Sequence, residues 1–504
     1  MRKMLSIVVL LIILLSIIIY IPISKSSITV EKNEFEYLYN QFDVDYVFNI
    51  TEALSNIVFT EYNDSEIARG RDFGTKGEHK AAEILSENMS KLGLWTWNES
   101  ITNLPNLPDF ASTVWTNEYK IVVKNITSGE SKVVDGFIFP AYSGPRGQIN
   151  KVGYIFNFTN LRIINSSNNK IRQQLSENYV FFEEEDAFNP YIDEYLMEKI
   201  LKKIFSPYSD FTLFYRSVKQ ILKIQKWYYL YPNCQGLLTY DFSKDTYNMG
   251  NGHYNLPVIT INGTIGKEIL SDIDNYRIDY YLDQRLIEQV ESYNVIGQIN
   301  GTYKDKIVII DCLYDGWWCQ ATADSAIGMA MVLGIAKWFK DNNITPKYTT
   351  RFIGFGGEEH GYRGAKHYQA IHKDENIIYV FDLNQLGFSQ DYPELYLDFL
   401  GSNVRFLNEL FEIAKKANYS ERTGYAGIRK YFMPRGAPSD DQPFARYQKN
   451  CKTVCFLKGY YWILHHRDGL NHTVGDTMDY FDPVDVNVTG EIILNIVRFF
   501  DTEW

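Results

Sequence analysis

Residues 356–365 read GGEEHGYRGA; they follow an apolar, strand-like run at 351–355 and precede a segment expected to be helical. Glu358 and Glu359 leave the end of that buried strand pointing in different directions. One can therefore ligate a metal while its neighbour handles a proton on water beside it, the division of labour a hydrolytic metal site needs. An isolated Glu-Glu pair reads as a solvated turn, so the reading depends on partners. Upstream, Asp324 stands at the start of ADSAIGMAMVLGIAKWF, whose apolar residues recur with helical spacing. Downstream, His472 lies in NHTVGDTMD, a loop-like stretch. Asp, Glu and His are ligands of the kind zinc takes, and three of them leave a fourth position open for water.

The surrounding pattern places these residues at one edge of a sheet. From Asn294 onward, strand-like runs (NVIGQI, KIVIID, TRFIGFG, NIIYVFDL, ELYLDF, KTVCFL) alternate with helical ones at 325–340, 362–373, 402–418 and 488–503. Such alternation predicts an α/β fold, a three-layer α/β/α sandwich around a mostly parallel mixed sheet, over residues 291–504. In these folds ligands gather beyond the carboxyl ends of strands, where Asp315, Glu358 and Asn384 fall. Residues 31–134 read as the N-terminal part of the same domain: helices to about residue 93, including GRDFGTKGEHKAAEILSENMSKLGL, then a strand-forming stretch from Asn98 to Val134. Residues 135–290 read as an inserted, smaller β-rich domain (GFIFP, GLLTY, LPVITI), with an amphipathic, partly basic helical stretch between 189 and 230.

Composition excludes some partners. A net charge of -12 argues against nucleic acid. Residues 4–24 carry no charge and follow Arg2 and Lys3, so residues 1–25 are expected to be a transmembrane signal anchor, with a cleaved signal peptide as the competing reading. Thirteen Asn-x-Ser/Thr sequons agree with export. The expected location is the cell membrane, single-pass, with the bulk of the chain glycosylated and extracellular.

With Asp324, Glu358, Glu359 and His472 in view, the chain resembles metallopeptidase family 28, the zinc aminopeptidases and carboxypeptidases that also include glutamate carboxypeptidase and the mono-zinc glutaminyl cyclases. The resemblance implies that Asp324, Glu359 and His472 hold a zinc ion and that Glu358 is the general base. It implies a second metal position as well, but this chain departs there: Leu313 stands where the family has a His, and Asn384 where it has an Asp. Asp315, the Asp of that His-x-Asp element, is retained. One zinc is therefore expected. In SDDQPF, Asp441 replaces the His of a Ser-Asp-His element and is expected to line the pocket. The position of residues 135–290 resembles the protease-associated domain of many members. Of the five cysteines, Cys451 and Cys455 could form the short bridge some members carry, and Cys312 and Cys319 another. Trp317, Trp318, Tyr460 and Tyr461 are candidates for an apolar substrate wall; His360 is expected to neighbour the site or lie at the surface, and His465 and His466 to be solvated loop residues, with supplementary ligation as the alternative. The implied activity is a membrane-anchored zinc exopeptidase of the aminopeptidase type acting on peptides, in a chain that could pair as a homodimer. The alternatives are a non-catalytic surface protein on a degenerate peptidase fold and a glutaminyl-cyclase-like aminoacyltransferase.

Overall fold

A computed structural model describes residues 35–57, 70–104, 111, 113–139, 147–157, 179–183, 237–240, 258–272, 275–317, 319–387, 393–459, 472 and 475–502. Met1–Tyr37 form one compact unit and Leu38–Trp504 another. The apolar stretch expected to be an anchor lies outside the described residues, as do Trp318, Tyr460, Tyr461, His465, His466, Cys234 and the helical stretch between 189 and 230. Among the described residues no helix is long and apolar enough to cross a membrane.

In the second unit the chain runs α1 (Val44–Ser55), α2 (Lys76–Lys91), β1 (Trp95–Ser100), β2 (Thr113–Asn125), β3 (Ser131–Val133), β4 (Gly136–Phe139) and β5 (Gly147–Asn157). It continues through β6 (Tyr179–Glu183), β7 (Leu237–Tyr240), β8 (Val258–Ile261), α3 (Gly263–Ser271), β9 (Tyr276–Ile287), β10 (Tyr293–Ile299) and β11 (Tyr303–Leu313). Then come α4 (Ile327–Asp341), β12 (Tyr348–Phe355), α5 (Arg363–Ile371), β13 (Ile377–Leu383), β14 (Tyr396–Gly401) and α6 (Val404–Lys415). The last elements are α7 (Tyr419–Thr423), β15 (Gly427–Phe432), α8 (Asp441–Tyr447), β16 (Lys452–Lys458) and α9 (Pro483–Thr502).

The first sheet has the order β1-β10-β12-β11-β13-β16-β14-β15. Its centre, β12-β11-β13-β16, is parallel, and β1, β10 and β14 add antiparallel pairings. Parallel strands buried on both faces need continuous apolar runs, and β12 is buried at every residue while β11 is buried from Ile307 onward. One face packs Ile307, Ile309, Ile353 and Phe355 against Ala365 and Tyr368 of α5 and Phe444 of α8. On the other, Phe339 of α4 meets Phe352, and Phe406 of α6 and Phe500 of α9 meet Tyr379. The expected sandwich is thus present. Gly328 lets α4 lie tight on β13, since a Cβ there would sit 2.1 Å from the Leu383 carbonyl oxygen.

The second sheet, β3-β2-β9-β5-β6-β7-β8-β4, has its own core of Ile121, Val123, Ile138, Ile259, Ile278 and Leu282. It begins at Thr113, ahead of residue 135, because β2 pairs along its length with β9 in antiparallel register. The edge strands β1 and β15 of the first sheet carry no apolar run and were not separable from loop by pattern alone.

The expected disulfides are absent: Cys312, Cys319, Cys451 and Cys455 are thiols. Cys451 and Cys455 flank most of one turn-free stretch of β16, and four extended residues span about 13 Å, beyond the reach of a bridge. Cys312 instead meets Ser325 Oγ at 2.9 Å.

A charged brace ties β1, β12 and α5 together. Arg351 Nη2 donates to Glu375 at 3.1 Å, and His372 lies between Glu99 (Nε2, 2.8 Å) and Glu375 (Nδ1, 3.3 Å). Burial opposes charge on His372, but hydrogen bonds to Glu375 and Glu99 overcome it and raise its pKa to about 9. Burial likewise works against Glu99 and Glu375, whose partners nevertheless hold both at about 2. A histidine raised in the fold contributes fully below its unfolded pKa and loses that contribution as pH rises through 9; the depressed carboxylates lose theirs as pH falls from about 4.5 toward 2. His372→Gln should therefore destabilise the protein most near pH 5–6, with the deficit shrinking as pH approaches 9, as read from urea midpoints across that range.

Candidate metal centre

The loop after β12 turns at Gly357, whose φ is +66° and whose Cβ would come within 2.5 Å of the Phe73 ring, so only glycine fits. Glu358 and Glu359 follow directly. Asp315, in the loop after β11, fixes them: its Oδ1 accepts the Glu358 N–H at 3.0 Å and its Oδ2 the Glu359 N–H at 3.3 Å. Asp315 is fully buried. Asp315 therefore braces the Glu pair, and among the described residues no hydrogen bond joins it to Asn384.

Asp324 precedes α4 in a short irregular turn, held from the far side by Asp476. That carboxylate accepts the Ala323 N–H at 2.7 Å and the Asp324 N–H at 3.2 Å. His472 closes the group: its Nε2 lies 2.9 Å from Asp324 Oδ2 and 3.2 Å from Glu359 Oε1. Apart from that ring nitrogen, these two buried oxygens meet no donor among the described residues. One ligand atom from each of Asp324, Glu359 and His472 lies within 4.8 Å of the others. The three residues expected to be ligands are thus brought together, with Glu358 buried alongside.

Electrostatics point the same way. Burial, then the charge of Glu359 and of Asp440, Asp315 and Asp324, pushes the Glu358 carboxyl well up. Burial raises Glu359 to about 7 despite the opposing charge of His472. Burial disfavours the charge on His472, yet Glu359 and Asp324 raise it. Carboxylates that raise one another in a dry site are what a dication relieves, and two carboxylates plus one imidazole is a donor set suited to zinc.

Two further residues stand where the resemblance implies a second metal. Leu313 ends β11 fully buried and offers no donor. Asn384 follows β13, with its Nδ2 donating to Ser439 Oγ at 2.9 Å. Asp441 is buried, accepting from Ala437 N–H and Thr453 Oγ1, so it serves the loop and not the pocket wall. His360 pairs with Asp72 at 2.9 Å and stacks near Trp317, whose ring also meets His472 edge-on. Trp317 is buried and packs against His472.

Sequence reasoning passed over Arg71, Asp72, Asp440 and Asp476. Asp476 stands inside the quoted NHTVGDTMD, and Arg71-Asp72 inside GRDFGTKGE; an acid or base in a segment already singled out was the available signal. Arg71 is the largest omission. Its buried guanidinium donates to the carbonyl oxygens of Leu54, Tyr314, Gln320 and Ala321 at 2.7–2.9 Å, pinning both ends of the loop that carries Asp315 and leads to Asp324. Arg71→Ala leaves four buried carbonyls without these donors and should lower unfolding free energy by about 3 kcal/mol or more; an unchanged urea midpoint would contradict the pinning role.

This geometry gathers a group able to hold a metal ion at the carboxyl edge of an α/β sandwich. Residues 294–497 match the family model described as Peptidase family M28. It is 26% identical over 212 residues to carboxypeptidase Q of Xenopus laevis and 24% over 208 residues to that of Mus musculus; each match spans 40% of this chain and 40% of the relative. The fold is similar to that of a zinc aminopeptidase from Bacillus subtilis, with a TM-score of 0.60 at 16% identity, covering 94% of this chain and 97% of the other. A peptidase M28 precursor from Shewanella amazonensis gives a TM-score of 0.62 at 15% identity, covering 90% and 92%.

Proposed function

We propose that the protein is a zinc-dependent peptidase that trims peptide ends. The observation that carries this reading is the convergence of Asp324, Glu359 and His472 with Glu358 next to them on the chain. Those three residues would hold one zinc ion, which when bound supplies a Lewis acid for the scissile carbonyl and for water. Glu358 takes the proton from the attacking water and delivers it to the departing amine; its buried setting raises its affinity for that proton. Asp315 keeps the Glu358 and Glu359 backbone in place during the exchange.

Export and membrane anchoring belong to the same proposal. The uncharged stretch at residues 4–24 and the thirteen sequons support them. A second reading, a non-catalytic zinc-binding surface protein, draws on Leu313, which removes an imidazole from the second metal position.

Glu358→Gln should retain zinc and lose peptide hydrolysis by about 100-fold or more, whereas His472→Ala should lose zinc and hydrolysis together. Wild-type rates in both variants would reject the site. A wild-type protein that holds zinc and cleaves none of a panel of di- to pentapeptides would favour the non-catalytic reading.

A further inference from the structure

One row across the first sheet is apolar except at its centre. Register sets Ile296 of β10, Ile353 of β12, Asp311 of β11, Asp382 of β13, Cys455 of β16 and Leu400 of β14 side by side, so their side chains share one face. Ile296 and Ile353 belong to the core cluster under Phe444 of α8, and Cys455 and Leu400 to the one beside Ala437. Between them Asp311 and Asp382 stand next to each other, both fully buried. Neither oxygen of Asp311 meets a donor among the described residues, nor does Asp382 Oδ1; Asp382 Oδ2 accepts the Asp441 N–H at 3.4 Å.

The groups facing this pair are acids, thiols and hydroxyls. Asp440 and Asp441, at the head of α8, add negative charge, and Asp441 already accepts from the Ala437 N–H at 2.9 Å and the Thr453 hydroxyl at 2.6 Å. Ser439 and the Cys455 thiol lie against Asp382; Cys451 senses Asp311 and Asp441, and Cys312 senses Asp311 and Asp382. Lys366 of α5 senses Asp440, but none of the four acids forms an ion pair among the described residues. Burial and the charge of Asp382, Asp440 and Asp441 push the Asp311 carboxyl well up, and burial raises Asp382 to about 6 against the hydrogen bonds it accepts. Nor is the pair gathered as a metal site, since the three side chains that converge among the described residues are Asp324, Glu359 and His472.

Two carboxyls on neighbouring strands, about 5 Å apart in the hydrogen-bonding direction, cannot both ionise in a dry interior. A proton on one makes it an O–H donor to the other and so occupies an orphaned oxygen on each. We propose that Asp311 and Asp382 share one proton and form a pH-sensitive latch between β11 and β13, closed in acid and repulsive once the proton leaves. β11 leads directly into the loop of Asp315, so the latch lies beneath the brace of the Glu pair. A carboxyl whose folded pKa is raised costs nothing below its unfolded value of about 4 and lowers stability as pH climbs toward the folded value, so the loss runs from about pH 4 through about 6 and beyond.

Urea midpoints of the zinc-loaded full chain from about pH 4.5 to about pH 8 test the latch. An amide is the isostere of a protonated carboxyl and keeps an N–H donor at every pH. Asp311→Asn should therefore lose at least half of the wild-type fall in midpoint and exceed wild type in stability at the alkaline end, with Asp382→Asn shifted the same way. The His372 brace and the metal centre titrate alike in all three proteins and cancel in the comparison. A wild-type midpoint that does not fall, or variants lowered in parallel with wild type at every pH, would overturn the proposal, the second outcome marking a purely structural role. Failure of both variants to fold would overturn it as well, because an amide replaces a neutral acid without loss of shape. Infrared difference spectra give a second readout at about pH 5, where an ordinary Asp is ionised. Wild type minus Asp311→Asn should show the C=O stretch of a protonated carboxyl, and carboxylate bands alone would contradict the shared proton.

Discussion

Negative charge gathered at the carboxyl edge of one sheet is the constraint around which residues 294–497 of this chain are arranged. Asp315 and Asp324 come from the connection between β11 and α4, and Glu358 and Glu359 from the one between β12 and α5; all are largely shielded from water, and burial with neighbouring charge raises the proton affinity of Asp315, Glu358 and Glu359. In a dry environment such a group is strongly unfavourable unless protons, an imidazolium or a dication balance it. His472 supplies part of the balance, and the two acceptor oxygens left without any other donor define where the remainder belongs.

Holding these groups together against their repulsion falls to backbone hydrogen bonds. Asp315 and Asp476 are themselves carboxylates, but each spends its oxygens on main-chain N–H groups beside a ligand. Arg71, fully buried, satisfies carbonyls at both ends of the intervening loop. Glu78 of α2, also buried, accepts from Gly74 N–H and Ser292 Oγ and so fastens the segment that carries Arg71 to the start of β10. Asp324, Glu359 and their neighbours are therefore held by elements distant in sequence.

Most of the sandwich was legible because its central strands are buried on both faces and its helices carry an apolar stripe. KIVIID, TRFIGFG and NIIYVFDL could not be read otherwise, and α4 and α6 fall within a few residues of the expected 325–340 and 402–418. The edge strand WTWNES escaped because one side meets solvent and its pattern is weak. The convergence of Asp324, Glu359 and His472 was legible through motif order. Its braces were not, since an Arg bonded to four carbonyls or an Asp bonded to two amides leaves no periodic trace, and the extent of the second sheet depends on the long-range pairing of β2 with β9. The cysteines misled because compartment permits a disulfide without saying whether two Cα atoms come close enough.

The account's central claim is that one divalent ion completes this centre. Elemental analysis of the purified second unit, loaded with zinc and then dialysed, tests it most directly, with Glu359→Ala as the control. The account predicts about one zinc per chain, lost in the control. No zinc retained by the wild-type protein, or an equal amount retained by Glu359→Ala, would contradict it.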